Sequence, residues 1–109
     1  MVFAAYTKGS IALLASILGV AESQGVREVL EQQWGGDFTT QTHERLVTNA
    51  VKGWRFQAEM DEIADTFLAA GFPDGFHRAA ANIYARTKAF KNSQPASINQ
   101  LLQALRPPS

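Results

Sequence analysis

From Val2 to Ser23 the chain is apolar or small almost throughout, and Lys8 is the only charge before Glu22. A segment of this kind crosses a membrane, is cleaved as an export signal, or forms a helix covered by protein. A membrane span needs about 20 predominantly apolar residues, and Lys8 leaves only Ser10 to Ala21 uninterrupted. Ile11 to Ala21 has the length of a signal-peptide apolar region. Its only preceding cation sits late, however, and no A-x-A cleavage pattern follows. The small residues Ala5, Gly9, Ala12, Ser16 and Gly19 let another backbone come close. The reading that remains is a long, mostly buried first helix, covered on several sides and in part by a partner subunit, with no membrane involved.

The remainder of the 109 residues is read as helical too. No run alternates with period two between hairpin signals, so no sheet is expected. The first helix should end at Gly25 with a left-handed cap. Val26 to Trp34 forms a second, with Val26, Val29, Leu30 and Trp34 on one face, broken by Gly35-Gly36-Asp37. Thr39 or Thr40 is expected to cap a third helix running to Val51, and Gly53 to interrupt it. From Trp54 to Ala70, Phe56, Met60, Ile63, Ala64 and Phe67 share an arc, with Glu59, Asp61, Glu62 and Asp65 opposite, read as a solvated face. Gly71 ends that helix and Pro73 opens the next, with Asp74 in its first turn and Phe76, Ala80, Ile83 and Tyr84 inward to about Thr87. Ser97 and Gln100 form a capping box for a last short helix, ended by Pro107 and Pro108. The prediction is a single all-α domain of five to six helices: residues 1–90 as the main helical unit, 91–109 as linker and short helix.

Charge and composition exclude several functions. Lys plus Arg equals Asp plus Glu at 10 each, so the basic excess of a nucleic-acid binder is missing. The Lys52-Gly53-Trp54-Arg55-Phe56 interleaving is too short to replace it, and no nucleic-acid partner is expected. Without cysteine there is no thiolate site or Cys nucleophile, a composition compatible with the cytoplasm. His43 and His77 lack metal-ligand spacing, so no metal is expected. The sequence carries no G-x-G-x-x-G, P-loop or G-x-S-x-G pattern. What remains is an anion-contact surface. His77 and Arg78 lie early in a helix, where free backbone amides favour a carboxylate or phosphate. Lys8 is a lone ammonium on an apolar helix, either reaching to the surface along its stem or buried and tuned for proton transfer.

Several words of this sequence belong together. They are Tyr6-Thr7-Lys8-Gly9-Ser10, Trp54-Arg55-Phe56, Glu59-Met60 with Glu62-Ile63-Ala64, and Gly71 with Pro73-Asp74-Gly75-Phe76-His77. In that order they resemble the C-terminal helical domain of phosphogluconate-dehydrogenase-like proteins, a branch of the β-hydroxyacid dehydrogenase superfamily. The resemblance covers residues 1–87, with Trp34 to Val51 and the tail after Lys88 matching poorly. It implies a substrate-binding and dimerisation domain of an NAD(P)-dependent 6-phosphogluconate or 3-hydroxyacid dehydrogenase-like oxidoreductase. The NAD(P) is held by a Rossmann domain in cis or on a separate chain; this chain alone is expected to hold no cofactor and to be inactive. It also implies a homodimer and an anionic small-molecule substrate. Lys8 is the catalytic candidate, and Trp54, Arg55, Asp74, Phe76 and His77 are the substrate-binding candidates. The superfamily's catalytic lysine would fall just before Met1, and Ala4 occupies its asparagine position. The competing expectation is a non-enzymatic helical protein-interaction module.

Overall fold

The computed structural model describes residues 2–107, and its order is α1 (Phe3–Ser23), α2 (Arg27–Trp34), α3 (Gly36–Ala50), α4 (Gly53–Ala69), α5 (Gly75–Ala85), a 3-10 turn over Lys88–Phe90, and α6 (Ile98–Leu105). The described residues contain no strand, and the all-α expectation with a long first helix holds. α4 and α5 make the most extensive helix pair, with α1 packed across α5 and touching α2, α3, α4 and α6. Leu18, Met60 and Ile63 are fully buried at the centre. Around them lie Ile11 and Ala15 of α1, Leu46 and Ala50 of α3, Ala80 and Tyr84 of α5, Phe90, and Leu101, Leu102 and Leu105 of α6. The C-terminal helix therefore shares the core of the others.

Two glycines shape the helix ends as their positions require. Gly25 (φ 73°) follows α1, with Gly25 N–H donating to Glu22 O and Val26 N–H to Ala21 O. Gly71 (φ 88°) follows α4 with the same pair of bonds, Gly71 N–H to Leu68 O and Phe72 N–H to Phe67 O. Each closes the carbonyls a helix end leaves open, in a left-handed conformation that costs a side-chain-bearing residue about 1 kcal/mol or more. At the other terminus of the chain, Ser97 Oγ accepts from Gln100 N–H and Gln100 Oε1 from Ala96 N–H, so the expected cap of α6 is present. Pro107 follows that helix; Pro108 lies outside the described residues.

Several expectations are corrected. α3 starts at Gly36, so Thr39 lies inside it and bonds Glu31 O rather than capping. Gly53 does not interrupt: it is the first residue of α4, buried where a Cβ would stand 2.1 Å from Thr87 Oγ1. α5 starts at Gly75, after Asp74 as N-cap residue, so Pro73 precedes it. Phe76 faces outward at 74% exposed, and His77 takes the inward place. On α2, Val26 and Val29 are exposed while Leu30 and Trp34 pack against the core. The acidic arc is not simply solvated, since Asp61 and Asp65 hold Arg78 and Glu59 turns to Lys8. Finally, α1 is buried on one face only.

That face carries Ile11, Ala12, Ala15, Leu18 and Ala21. On the opposite side Phe3 (91% exposed), Tyr6 (80%), Leu13 (60%) and Val20 (62%) stand in solvent. Among the described residues α1 is the one helix long and apolar enough to cross a membrane. Its inner face is already engaged by every other helix except the outermost turns, which accounts for its apolarity on that side.

Candidate functional site

The predicted site residues do not converge; the fold distributes all but Asp74 over three places. The first is the junction of α1, α4 and α5. Lys8 Nζ lies 3.6 Å from Glu59 Oε1 and 4.8 Å from the centroid of the Phe56 ring, a cation over an aromatic face. Phe56 in turn meets Tyr84 edge-on, centroids 5.4 Å apart. The Tyr84 hydroxyl donates to Lys8 O at 2.6 Å, fixing the stretch of α1 that carries the lysine. Lys8 is partly exposed, its stem running beside Phe56 to Glu59 rather than being enclosed in the core. Glu59 Oε1 is enclosed and has no hydrogen-bond partner, only the nearby ammonium. Sequence periodicity missed Glu59, because projection of α4 alone shows no second helix leaning over its flank.

The second place is a groove of about 610 Å³ between α1 and α5. Gly9, Ala12 and Ser16 form its α1 side, Tyr6 and Leu13 its rim, and Phe76 and His77 its α5 side. Its walls are mostly apolar, and the volume falls within the ~300–1,000 Å³ of ordinary ligand clefts. His77 is buried against Phe67, ring centroids 4.8 Å apart, and its Nε2 lies 3.0 Å from Ala5 O. A carbonyl only accepts, so Nε2 carries the proton in that bond and Nδ1 presents its lone pair in the neutral ring. Nδ1 is enclosed without a partner. His77 thus ties α5 to α1 with one nitrogen, and Gly9 is what admits it: a Cβ there would lie 3.0 Å from Nε2.

The third place is the start of α4. Trp54 is partly exposed with Lys91 Nζ 4.6 Å from its ring centroid, and Arg55 beside it is exposed. Asp74 belongs to none of these. Its Oδ2 accepts from Arg78 Nε at 3.1 Å, and Arg78 also bonds Asp61 at 3.2 Å and Asp65. Those hydrogen bonds, led by the one donated to Asp65, raise the Arg78 guanidinium pKa above its ordinary value. The corner at Gly71–Asp74 is therefore clamped by a surface ion cluster, which is what its aspartate does.

A polar cleft between α1, α2 and α6 is lined by Glu22, Arg27, Glu28, Glu31 and Asn99, and His43 of α3 joins their network through Glu31. Arg27 bonds Glu22 at 2.8 Å, Glu31 at 3.1 Å and Asn99 at 2.6 Å, and His43 Nε2 approaches Glu31 Oε2 at 2.6 Å. Burial pushes the Glu31 carboxyl up, but hydrogen bonds from His43 and Arg27 outweigh it and hold it below the usual glutamate value. The described residues contain no group of three or more His, Cys, Asp or Glu placed to hold a metal ion. They also contain no strand leading through a glycine-rich turn into a helix, the arrangement that holds a dinucleotide pyrophosphate.

Comparison with known proteins gives one match. The family model described as "Domain of unknown function (DUF1932)" matches residues 15–87, from mid-α1 through the end of α5. The chain belongs to that family. The matched span includes Trp34 to Val51, where the sequence words gave little, and starts after Tyr6–Ser10. No curated protein matches, and no solved structure matches.

Proposed function

We propose that this chain is the substrate-binding and dimerisation domain of a cytoplasmic, NAD(P)-dependent 6-phosphogluconate or 3-hydroxyacid dehydrogenase-like oxidoreductase, inactive without a dinucleotide-binding partner domain. The observation that carries the reading is α1. A helix with an apolar face in the core and a second apolar face in solvent is built to be covered again, by a second subunit and by the domain that brings the cofactor. The words Tyr6–Ser10 and Pro73–His77, on which the resemblance rests, both border the α1–α5 groove. In this reading Lys8 meets the substrate's anionic group, with Glu59 holding its ammonium and Arg55 adding charge from α4. Phe76 offers an apolar wall of the α1–α5 groove, while His77 aligns α1 with α5 rather than touching substrate through Nε2.

The test pairs the chain with a dinucleotide-binding domain, joined or added separately, and follows nicotinamide reduction with 6-phosphogluconate and with short 3-hydroxy acids. Turnover that Lys8→Ala lowers at least about tenfold, ~1.4 kcal/mol in the transition state, supports the reading. Turnover unchanged in Lys8→Ala removes the lysine from the site. No turnover with any pairing favours the second reading, a non-enzymatic interaction module, for which the scatter of Lys8, Trp54 and His77 over separate places already speaks.

A further inference from the structure

Between the C-terminal half of α1, the end of α5 and α6 lies a second apolar pocket, of about 300 Å³, lined by none of the candidate site residues. Ala15, Leu102 and Leu105 are its buried walls, with Ile83 beside them and Val20 standing in solvent at its edge. It adjoins the α1–α5 groove at Ser16, whose hydroxyl is turned to Ala12 O at 2.8 Å and so presents little polarity. The volume stands at the small end of the ~300–1,000 Å³ of ordinary ligand pockets.

Charge sets this pocket apart. Two guanidiniums line it, Arg86 and Arg106, and no carboxylate does. They belong to different helix ends yet meet at one place: Arg86 Nη1 donates to Leu105 O at 2.9 Å, the carbonyl of the residue before Arg106. Arg86 Nε donates to Asn82 Oδ1 at 3.0 Å, which leaves Nη2 without a partner among the described residues. Among those residues neither guanidinium pairs with a carboxylate. Arg106 also borders the polar cleft, but Glu22 there is engaged by Arg27 at 2.8 Å. Two unpaired like charges beside a small apolar pocket repel each other, and an anion with an apolar body relieves both that repulsion and the exposed apolar wall.

We propose that this pocket binds a short aliphatic monocarboxylate, its carboxylate on Arg86 Nη2 and Arg106 and its chain laid over Ala15, Leu102 and Leu105. The planar forks of N–H donors match a carboxylate, and the leucines bury its chain. A neutral hydrocarbon would leave both guanidiniums unmatched. A sugar acid or a dicarboxylate would bury its further polar groups against the leucines, where nothing bonds them. The site goes beyond the proposed function and does not depend on it, since Lys8 lies on the N-terminal half of α1 and does not line the pocket.

The test titrates the full isotope-labelled chain with butyrate, hexanoate and octanoate, and with hexanol as the uncharged counterpart, following backbone amide shifts by NMR. Hexanoate is expected to move the amides of Ile83, Leu102 and Leu105 and to bind more tightly than hexanol. Affinity is expected to rise from butyrate to octanoate by up to about fourfold per methylene, the effect of full apolar burial. Arg106→Gln should weaken hexanoate about fivefold or more and leave hexanol unchanged. Gly19→Leu blocks the pocket without touching the charges. A Cβ at Gly19 meets nothing within 4 Å, so the helix accepts it, and the longer side chain stands over the pocket that Gly19 lines. It should abolish binding of both ligands with far-UV circular dichroism unchanged. Hexanol bound as tightly as hexanoate, or hexanoate bound by Arg106→Gln as by the wild type, would take the guanidiniums out of the site and overturn the proposal. Shifts confined to Gly9, Leu13 and Phe76 would put the ligand in the α1–α5 groove and overturn it equally. So would the lack of any saturable shift with all three carboxylates at millimolar concentration.

Discussion

The Tyr84 hydroxyl, on α5, donates to the backbone carbonyl of Lys8, on α1, at 2.6 Å across 76 positions of the chain. It joins the helix that carries the candidate ammonium to the α4–α5 hairpin. Burial pushes the Tyr84 phenol well above the ordinary tyrosine range; Arg45 opposes that shift and Glu59 adds to it. The phenol therefore stays protonated, and a donor, further into the alkaline range than an ordinary tyrosine.

Removing that donor tests how much of the α1–α5 contact it carries. Tyr84→Phe keeps the ring against Phe56 and loses only the bond, so unfolding free energy should fall by about 1 kcal/mol in urea titration. Tyr84→Ala also opens a cavity and should lose about 3–5 kcal/mol. Equal losses in the two would mean that the hydroxyl, not the packing, dominates.

Gly53 tests a close approach. Its Cα lies so near Thr87 that a methyl would meet Oγ1 at 2.1 Å and the Tyr84 ring edge at 3.3 Å, while that Oγ1 donates to Tyr84 O at 2.7 Å. Helix propensity alone would make Gly53→Ala stabilising by about 0.5–1 kcal/mol. Crowding should reverse the sign, to a net loss of about 1–3 kcal/mol. Adding Thr87→Ala should recover part of the loss, a coupling that a double-mutant cycle measures. Simple additivity would mean that the two residues do not constrain each other.

Acid should expose the Glu31 network. Because its folded-state pKa is depressed, Glu31 contributes stability that is fully present above its ordinary value of 4.5 and is lost as pH falls through the lower folded value. Thermal midpoints of the wild type should therefore drop more steeply below pH 4.5 than those of Glu31→Gln, which has no such proton to bind. Parallel curves would mean that Arg27 and His43 do not favour the charged carboxylate. The side chain keeps partial access to water, so the difference between the curves should be small and should shrink further in high salt.

How much of this was legible beforehand depends on the range of each cause. Gly25 and Gly71 were readable, because a left-handed cap is a local demand that glycine meets best. The core side of α4 was readable from spacing, and Met60, Ile63 and Ala64 are indeed enclosed. Gly53 was misread because a glycine that breaks a helix and a glycine that admits a distant side chain look alike in one dimension. Phe76 was assigned inward by periodicity, yet His77 holds that place, since Gly9 on α1 opens room for an imidazole at that angle. The site words fared similarly. Lys8, Trp54 and His77 follow from recognisable patterns, but which way each helix turns them is set by tertiary packing, and it turns them apart.

Opposite sides of α1 answer to different tests. A change at Ile11 or Leu18 is felt by the chain that carries it, because both lie in the core. A change at Leu13, which stands in solvent, leaves that chain's own fold intact. A mutational scan scored on folded yield would see one side of the helix as idle, and the same scan scored on cellular fitness would read whether anything meets that side.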